Sequence, residues 1–196
     1  MPLVAGRSPW LLMARSRGMM ATMRLFHGQE GLICSECGVV HEGLATVFGP
    51  EAPDPWVEAP LSARVQGELG RDQCYLPWQQ RLYTFIRGHI VLPISDRPDE
   101  TFAWSVWSTL APDDMETLEA HWDDPRRADL PPMPGRLANS LPYEESTQGL
   151  ALHVRHREPG QVPHFVFAMD AEHPLAVEQR EGIPWHRVAE LNGQLA

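Results

Sequence analysis

Cys34-Ser35-Glu36-Cys37-Gly38 sets two thiols two residues apart and follows them with a glycine. His41 stands four residues beyond the second thiol, and Cys74 is the remaining cysteine of the chain. Thiolate and imidazole are the usual protein donors to zinc, and a structural zinc takes four of them in a tetrahedron. Cys34, Cys37, Cys74 and His41 make such a set. A CxxCG turn folds back on itself, so it brings two sulfurs to about one ligand separation. Four residues after Cys37 is a tight reach for His41, and His89 or a carboxylate such as Asp72 could take its place. With four protein ligands the ion keeps no open position for a substrate, so its role is structural.

Two other readings fit the same cysteines. A redox pair is expected at the start of a helix after a strand, and Gly38-Val39-Val40 does not open a helix. Ordinary buried thiols pack as small hydrophobes.

Catalytic patterns are scarce. His41-Glu42 begins like a zincin helix, but Ala45 stands where that pattern needs its second histidine. Nucleophile elbow, phosphate-binding glycine loop and dinucleotide fingerprint are all missing. The densest polar stretch is His173-Pro174-Leu175-Ala176-Val177-Glu178-Gln179-Arg180-Glu181-Gly182-Ile183. It reads as a surface helix capped by His173 and stopped by Gly182, or as a polar site built from His173, Glu178 and Arg180. Arg87 and His89 share a strand face with Tyr83, Phe85 and Val91, which marks a sheet edge or a polar pocket. His153-Val154-Arg155-His156-Arg157 is a basic patch on a strand, either a solvated face or a ligand contact.

The elements that must position these residues read as α+β, an antiparallel sheet with a few short helices and an N-terminal CxxC knuckle. Residues 82–94 and 101–110 alternate and flank the turn-rich Ser95–Glu100, so they predict an antiparallel hairpin. Phe102, Trp104, Val106 and Ser108 share one face of the second strand. Pro112, Asp113 and Asp114 open a helix, with Met115, Leu118 and Trp122 on one stripe and Pro125 as its stop. Residues 49–60, with four prolines, predict an extended connection pinned by Trp56. Five prolines across 125–148 predict a long loop. Residues 150–157 and 162–169 alternate around Glu158-Pro159-Gly160-Gln161, and two helical stretches, 174–181 and 184–192, end the chain.

The 196 residues suit one domain with or without a tail, and seven tryptophans supply core without disulfides. All sixteen basic residues are arginine, and the net charge of −10 argues against nucleic acid as a partner. Three cysteines cannot pair off, so reduced thiols in a cytoplasm are expected. Residues 1–24 hold four arginines and no acid, which leaves twelve arginines against twenty-six acids, a net of −14, in the rest. Their apolar patch at Trp10–Ala14 is too short for a membrane span or a secretory signal. They read as a disordered extension or as a start placed too far upstream of Met19, Met20 or Met23, with one domain over 25–196.

The segments CSECGVVHEGL (34–44), APDPW (52–56), RDQC (71–74), FIRGHIVLPI (85–94), FAWSVWSTL (102–110) and HPLAVEQREGI (173–183) together resemble the bacterial family catalogued as domain of unknown function 2199. The likeness covers about residues 31–191. It implies a single cytoplasmic domain of about 150 residues and no assigned reaction. It maps that family's CxxCG and histidine onto Cys34, Cys37, Gly38 and His41, and its later cysteine onto Cys74. The expected role is a binding or interaction domain for a protein or small molecule, stabilised by zinc. An enzyme of unrecognised type, using His173, Glu178, Arg180, Arg87 and His89, is the alternative.

Overall fold

The computed structural model describes Cys34 and residues 36–195. The extension expected at 1–24 lies outside them. The long alternating runs form β4 (Arg81–Pro93) and β5 (Thr101–Leu110), an antiparallel hairpin with ten paired Cα positions from Thr84↔Leu110 to Pro93↔Thr101. β3 (Gln73–Trp78) lies antiparallel on the other edge of β4, and the short β2 (Glu68–Leu69) lies on β3. β1 (Val47–Phe48) runs parallel to the start of β5.

Beyond β5 the sheet continues through β6 (Met133–Leu137), β7 (Ala151–Arg155) and β8 (His164–Val166), each antiparallel to the one before. β8 then pairs parallel with β4 at His89↔His164, and the His89 amide donates to Pro163 O at 2.9 Å. The strands β4, β5, β6, β7 and β8 thus close into a barrel. The expected antiparallel sheet with a few short helices is present in part: the sheet is mixed, with two parallel pairings, and five of its strands close. Closure leaves those five strands without a free edge, which removes unpaired backbone groups that an open sheet would expose.

Alternation decides which side chains fill the barrel. Ile86, Ile90 and Leu92 of β4 point inward with Phe102, Trp104 and Val106 of β5, and all six are buried in one cluster. Leu152, Val154 and Phe165 fill the opposite wall. Gly88 sits between Ile86 and Ile90. A Cβ there would meet the Phe165 ring at 2.5 Å and Pro163 O at 2.8 Å, so the residue exists to let β8 approach β4. Gly88→Ala is expected to cost about 1–3 kcal/mol through overpacking, measured by urea unfolding. A change below about 0.5 kcal/mol would contradict closure at this point.

Two helices, α1 (Asp54–Glu58) and α2 (Leu61–Gln66), cover the outer face of β3, β4 and β5. A second cluster forms there from Ala59, Ala63, Cys74, Leu76, Phe85 and Trp107. The proline-rich 49–60 is therefore not simply extended: Pro55 enters the first turn of α1, where a missing amide costs nothing. Strand β6 corrects the loop expected across 125–148. Pro134 lies in the part of β6 that has no β5 partner, so a strand forms despite the proline. α3 (Pro112–Ala120) buries Met115 and Leu118 against the barrel, and α4 (Pro174–Glu181) and α5 (Trp185–Leu195) close the fold. Among the described residues no helix is long and apolar enough to cross a membrane.

Arg127 is the least expected member of the interior, being only 2% exposed. Its guanidinium meets no carboxylate. It donates to Trp122 O at 3.1 Å, Arg157 O at 2.8 Å, Glu158 O at 2.5 Å and Gln161 O at 2.6 Å, and lies 4.8 Å from the Trp122 ring centroid. One side chain so fixes the turn that aims β8 at β4.

Near it, both ring nitrogens of His156 are buried without a partner. Burial first, and Arg127 second, hold His156 below the usual histidine range, and burial likewise lowers His89 and His164. A histidine lowered in the folded state takes its proton in the unfolded chain first. Stability is then full above the unfolded value of 6.5 and falls as pH drops through it toward the folded values. The melting temperature is expected to fall between about pH 7.5 and 5.5, and His156→Leu to flatten part of that slope. A slope unchanged by His156→Leu would contradict this.

Candidate metal centre

The knuckle begins at Cys34, whose amide donates to Val39 O at 2.9 Å, while the Gly38 amide returns to Cys34 O at 2.8 Å. Gly38 has φ 71°, a left-handed conformation that strains any other side chain. This turn sets both thiols on one side. His41 then brings Nε2 to 3.2 Å from Cys37 Sγ.

The fourth donor comes from the far end of the chain. His186, in the first turn of α5, places Nδ1 3.5 Å from Cys34 Sγ, and its ring centroid lies 5.7 Å from that of His41. One donor atom each from Cys34, Cys37, His41 and His186 lies within 4.8 Å of all the others. A tetrahedral zinc with bonds of about 2.0–2.3 Å has edges of roughly 3.3–3.8 Å, so a small inward movement suffices. This group could hold one metal ion.

Its electrostatics suit a metal. The Cys34 thiol is lowered to about 6, chiefly by the Cys37 backbone N–H, with help from Glu36 N–H, the Cys37 thiol and His186, while burial opposes. A thiolate is the form that binds metal. The other nitrogen of His186, Nε2, lies 3.7 Å from Glu190 Oε1. A carboxylate behind an imidazole fixes its tautomer and strengthens it as a ligand.

Anchors flank His186 on both sides. Trp185 N donates to Asp96 Oδ1 at 2.8 Å, and the Arg97 guanidinium lies 3.9 Å from the Trp185 ring centroid. Trp185 Nε1 donates to His41 O at 3.4 Å, and Asn192 exchanges two hydrogen bonds with the Ala45 backbone, at 2.9 and 3.0 Å. The knuckle itself has little core: Val39 and Val40 are 56% and 42% exposed.

Cys74 is not in this group, which corrects the ligand set expected from sequence. It lies on β3, fully buried in the cluster under α1 and α2, and burial pushes its thiol up to about 12. It packs as a small hydrophobe. His89 and Asp72 do not join the group either. His186 escaped sequence reasoning because it lies 152 residues from Cys34, outside any local spacing rule. The available signal was His186 and Glu190 one helical turn apart at the start of a predicted helix.

The five polar candidates divide. His173 and Glu178 meet at Tyr143, whose hydroxyl donates to Glu178 and whose ring centroid is 5.9 Å from that of His173. Burial first, then Glu178, raises the Tyr143 hydroxyl above its usual range. Arg187 Nε reaches Glu178 at 3.0 Å and Trp104 Nε1 reaches Tyr143 at 3.4 Å, so this cluster joins α4, α5 and β5. His173 Nδ1 caps α4 by accepting from Leu175 N at 3.1 Å. Gln179 bonds Phe165 O on β8 and Phe167 N just after it. Arg180 turns to Met169 O and Ala171 O at 3.2 and 3.3 Å. Arg87 and His89 stand on the outer wall of the barrel, Arg87 Nε donating to Ser105 Oγ at 3.0 Å. The five side chains do not form one pocket.

A family model described as an uncharacterised protein conserved in bacteria, DUF2199, matches residues 33–183. The chain is a member of the DUF2199 family. Three donors of this DUF2199 protein, Cys34, Cys37 and His41, lie inside the matched range, whereas His186 lies beyond its end. No curated protein and no solved structure matches the chain.

Proposed function

We propose that this DUF2199 protein is a small cytoplasmic binding domain whose knuckle is fastened to α5 by one structural zinc. The convergence of Cys34, Cys37, His41 and His186 within 4.8 Å carries the reading. Four protein donors leave no coordination site for substrate, so the ion acts on stability. It supplies the fastening that a thin stretch with exposed valines cannot obtain from burial. Glu178, Gln179 and Arg180 are each engaged within the fold, which weakens the enzyme alternative built on that segment. One observation favours the enzyme alternative, the buried Nε2 of His173, which has no partner beside Tyr143.

Elemental analysis of reduced protein, purified without chelator, tests the clasp. About one zinc per chain is expected, and a metal-free, folded protein would overturn it.

A further inference from the structure

The outer wall of the barrel carries a charge pattern that folding does not explain. Register places His89 of β4, His164 of β8 and Arg155 of β7 side by side, so the three share one face in one cross-strand row. Alternation puts Arg87 and Val91 on the same face of β4, Val166 on that of β8, and His153, paired with Val166, on that of β7. Arg157 continues from β7, close enough for its charge to act on both His89 and His164. Six basic positions thus gather with two valines in a chain of net charge −10.

Among the described residues, Arg87, Arg155 and Arg157 make no ion pair. Asp72 is the carboxylate that acts on His89, against Arg87, Arg157 and His164. Burial lowers His89 and His164, so the fixed charge of this face is that of three guanidiniums, none of which has a carboxylate partner among the described residues. A partner anion would supply one.

We infer that this face docks an acidic protein segment in extended conformation. An extended chain repeats its side chains on one face every ~6.6–6.8 Å, the same repeat that separates Arg87 from His89 and His153 from Arg155. Carboxylates at alternate positions therefore match the basic columns, and Val91 and Val166 receive apolar neighbours. Nucleic acid fits less well: the chain carries a net charge of −10, and three fixed charges neutralise few phosphates.

The inference rests on reading the chain as a binding domain and not on the metal. The test uses the full chain and a fluorescein-labelled peptide of alternating glutamate and valine, followed by anisotropy. At about 20 mM salt, saturation below ~100 µM is expected, weakening at about 200 mM. Arg155→Glu should raise Kd at least about tenfold, whereas Arg81→Glu, six residues earlier on β4 than Arg87, should change it less than about twofold. Melting curves check that both variants fold. Absence of saturation to about 1 mM, equal losses in the two variants, or tighter binding of single-stranded oligothymidylate would overturn the inference. Zinc content is measured on the same samples. A zinc-loaded protein that ignores the peptide refutes the surface alone, and a zinc-free protein that binds it refutes the clasp alone.

Discussion

Removing the proposed zinc from this DUF2199 protein is expected to lower its stability by about 3–4 kcal/mol, the linkage energy of an ion held at 100 to 1,000 times its dissociation constant. For a chain of this size that corresponds to a fall of roughly 6–16 °C in melting temperature. His186→Ala should reproduce most of the loss, because it removes the one donor that ties the knuckle to α5. Cys34→Ser should do the same from the other side. Cys74→Ala should leave the metal content unchanged and cost only its packing, since that thiol lies in another cluster. Thermal melts with and without chelator distinguish these cases. A Cys74→Ala protein that loses its metal, or a His186→Ala protein that keeps both metal and melting temperature, would contradict the assignment.

Arg127→Met is expected to cost about 3–5 kcal/mol, although methionine fills a similar length. The carbonyls of Trp122, Arg157 and Gln161 lose the guanidinium as donor, and that of Glu158 keeps only the Gln161 amide at 3.2 Å. Each buried acceptor left without a partner costs about 1–3 kcal/mol, reduced where water enters. Arg127→Lys should recover only part, because an ammonium cannot present the planar fork that reaches four acceptors. Urea unfolding measures both. A loss under about 1 kcal/mol for Arg127→Met would show that the turn before β8 holds its shape without the guanidinium.

These residues also mark what the sequence could and could not disclose. The β4–β5 hairpin was legible because two long alternating runs flank a turn-rich segment, and they pair as expected. α3, α4 and α5 were legible from prolines at their starts and Gly182 after α4, whose φ of 83° ends that helix. β6 was hidden by Pro134, which forbids a strand only where both edges must pair. Barrel closure was hidden because one parallel contact, His89↔His164, makes it, and local alternation carries no record of which edge a strand will meet. Arg127 carries no local signal, since the carbonyls it binds lie mostly about thirty residues later. In the candidate metal centre, Cys34, Cys37 and His41 were visible by spacing, but the choice between Cys74 and His186 depends on which segment returns to the knuckle.

X-ray absorption at the zinc edge tests the clasp most directly, because it counts sulfur and nitrogen around the ion. The account predicts two sulfurs at about 2.3 Å and two imidazole nitrogens at about 2.0 Å, the latter reduced in number by His186→Ala. A first shell with three sulfurs would contradict it, since the third could only be Cys74, and the proposed join between the knuckle and α5 would be lost.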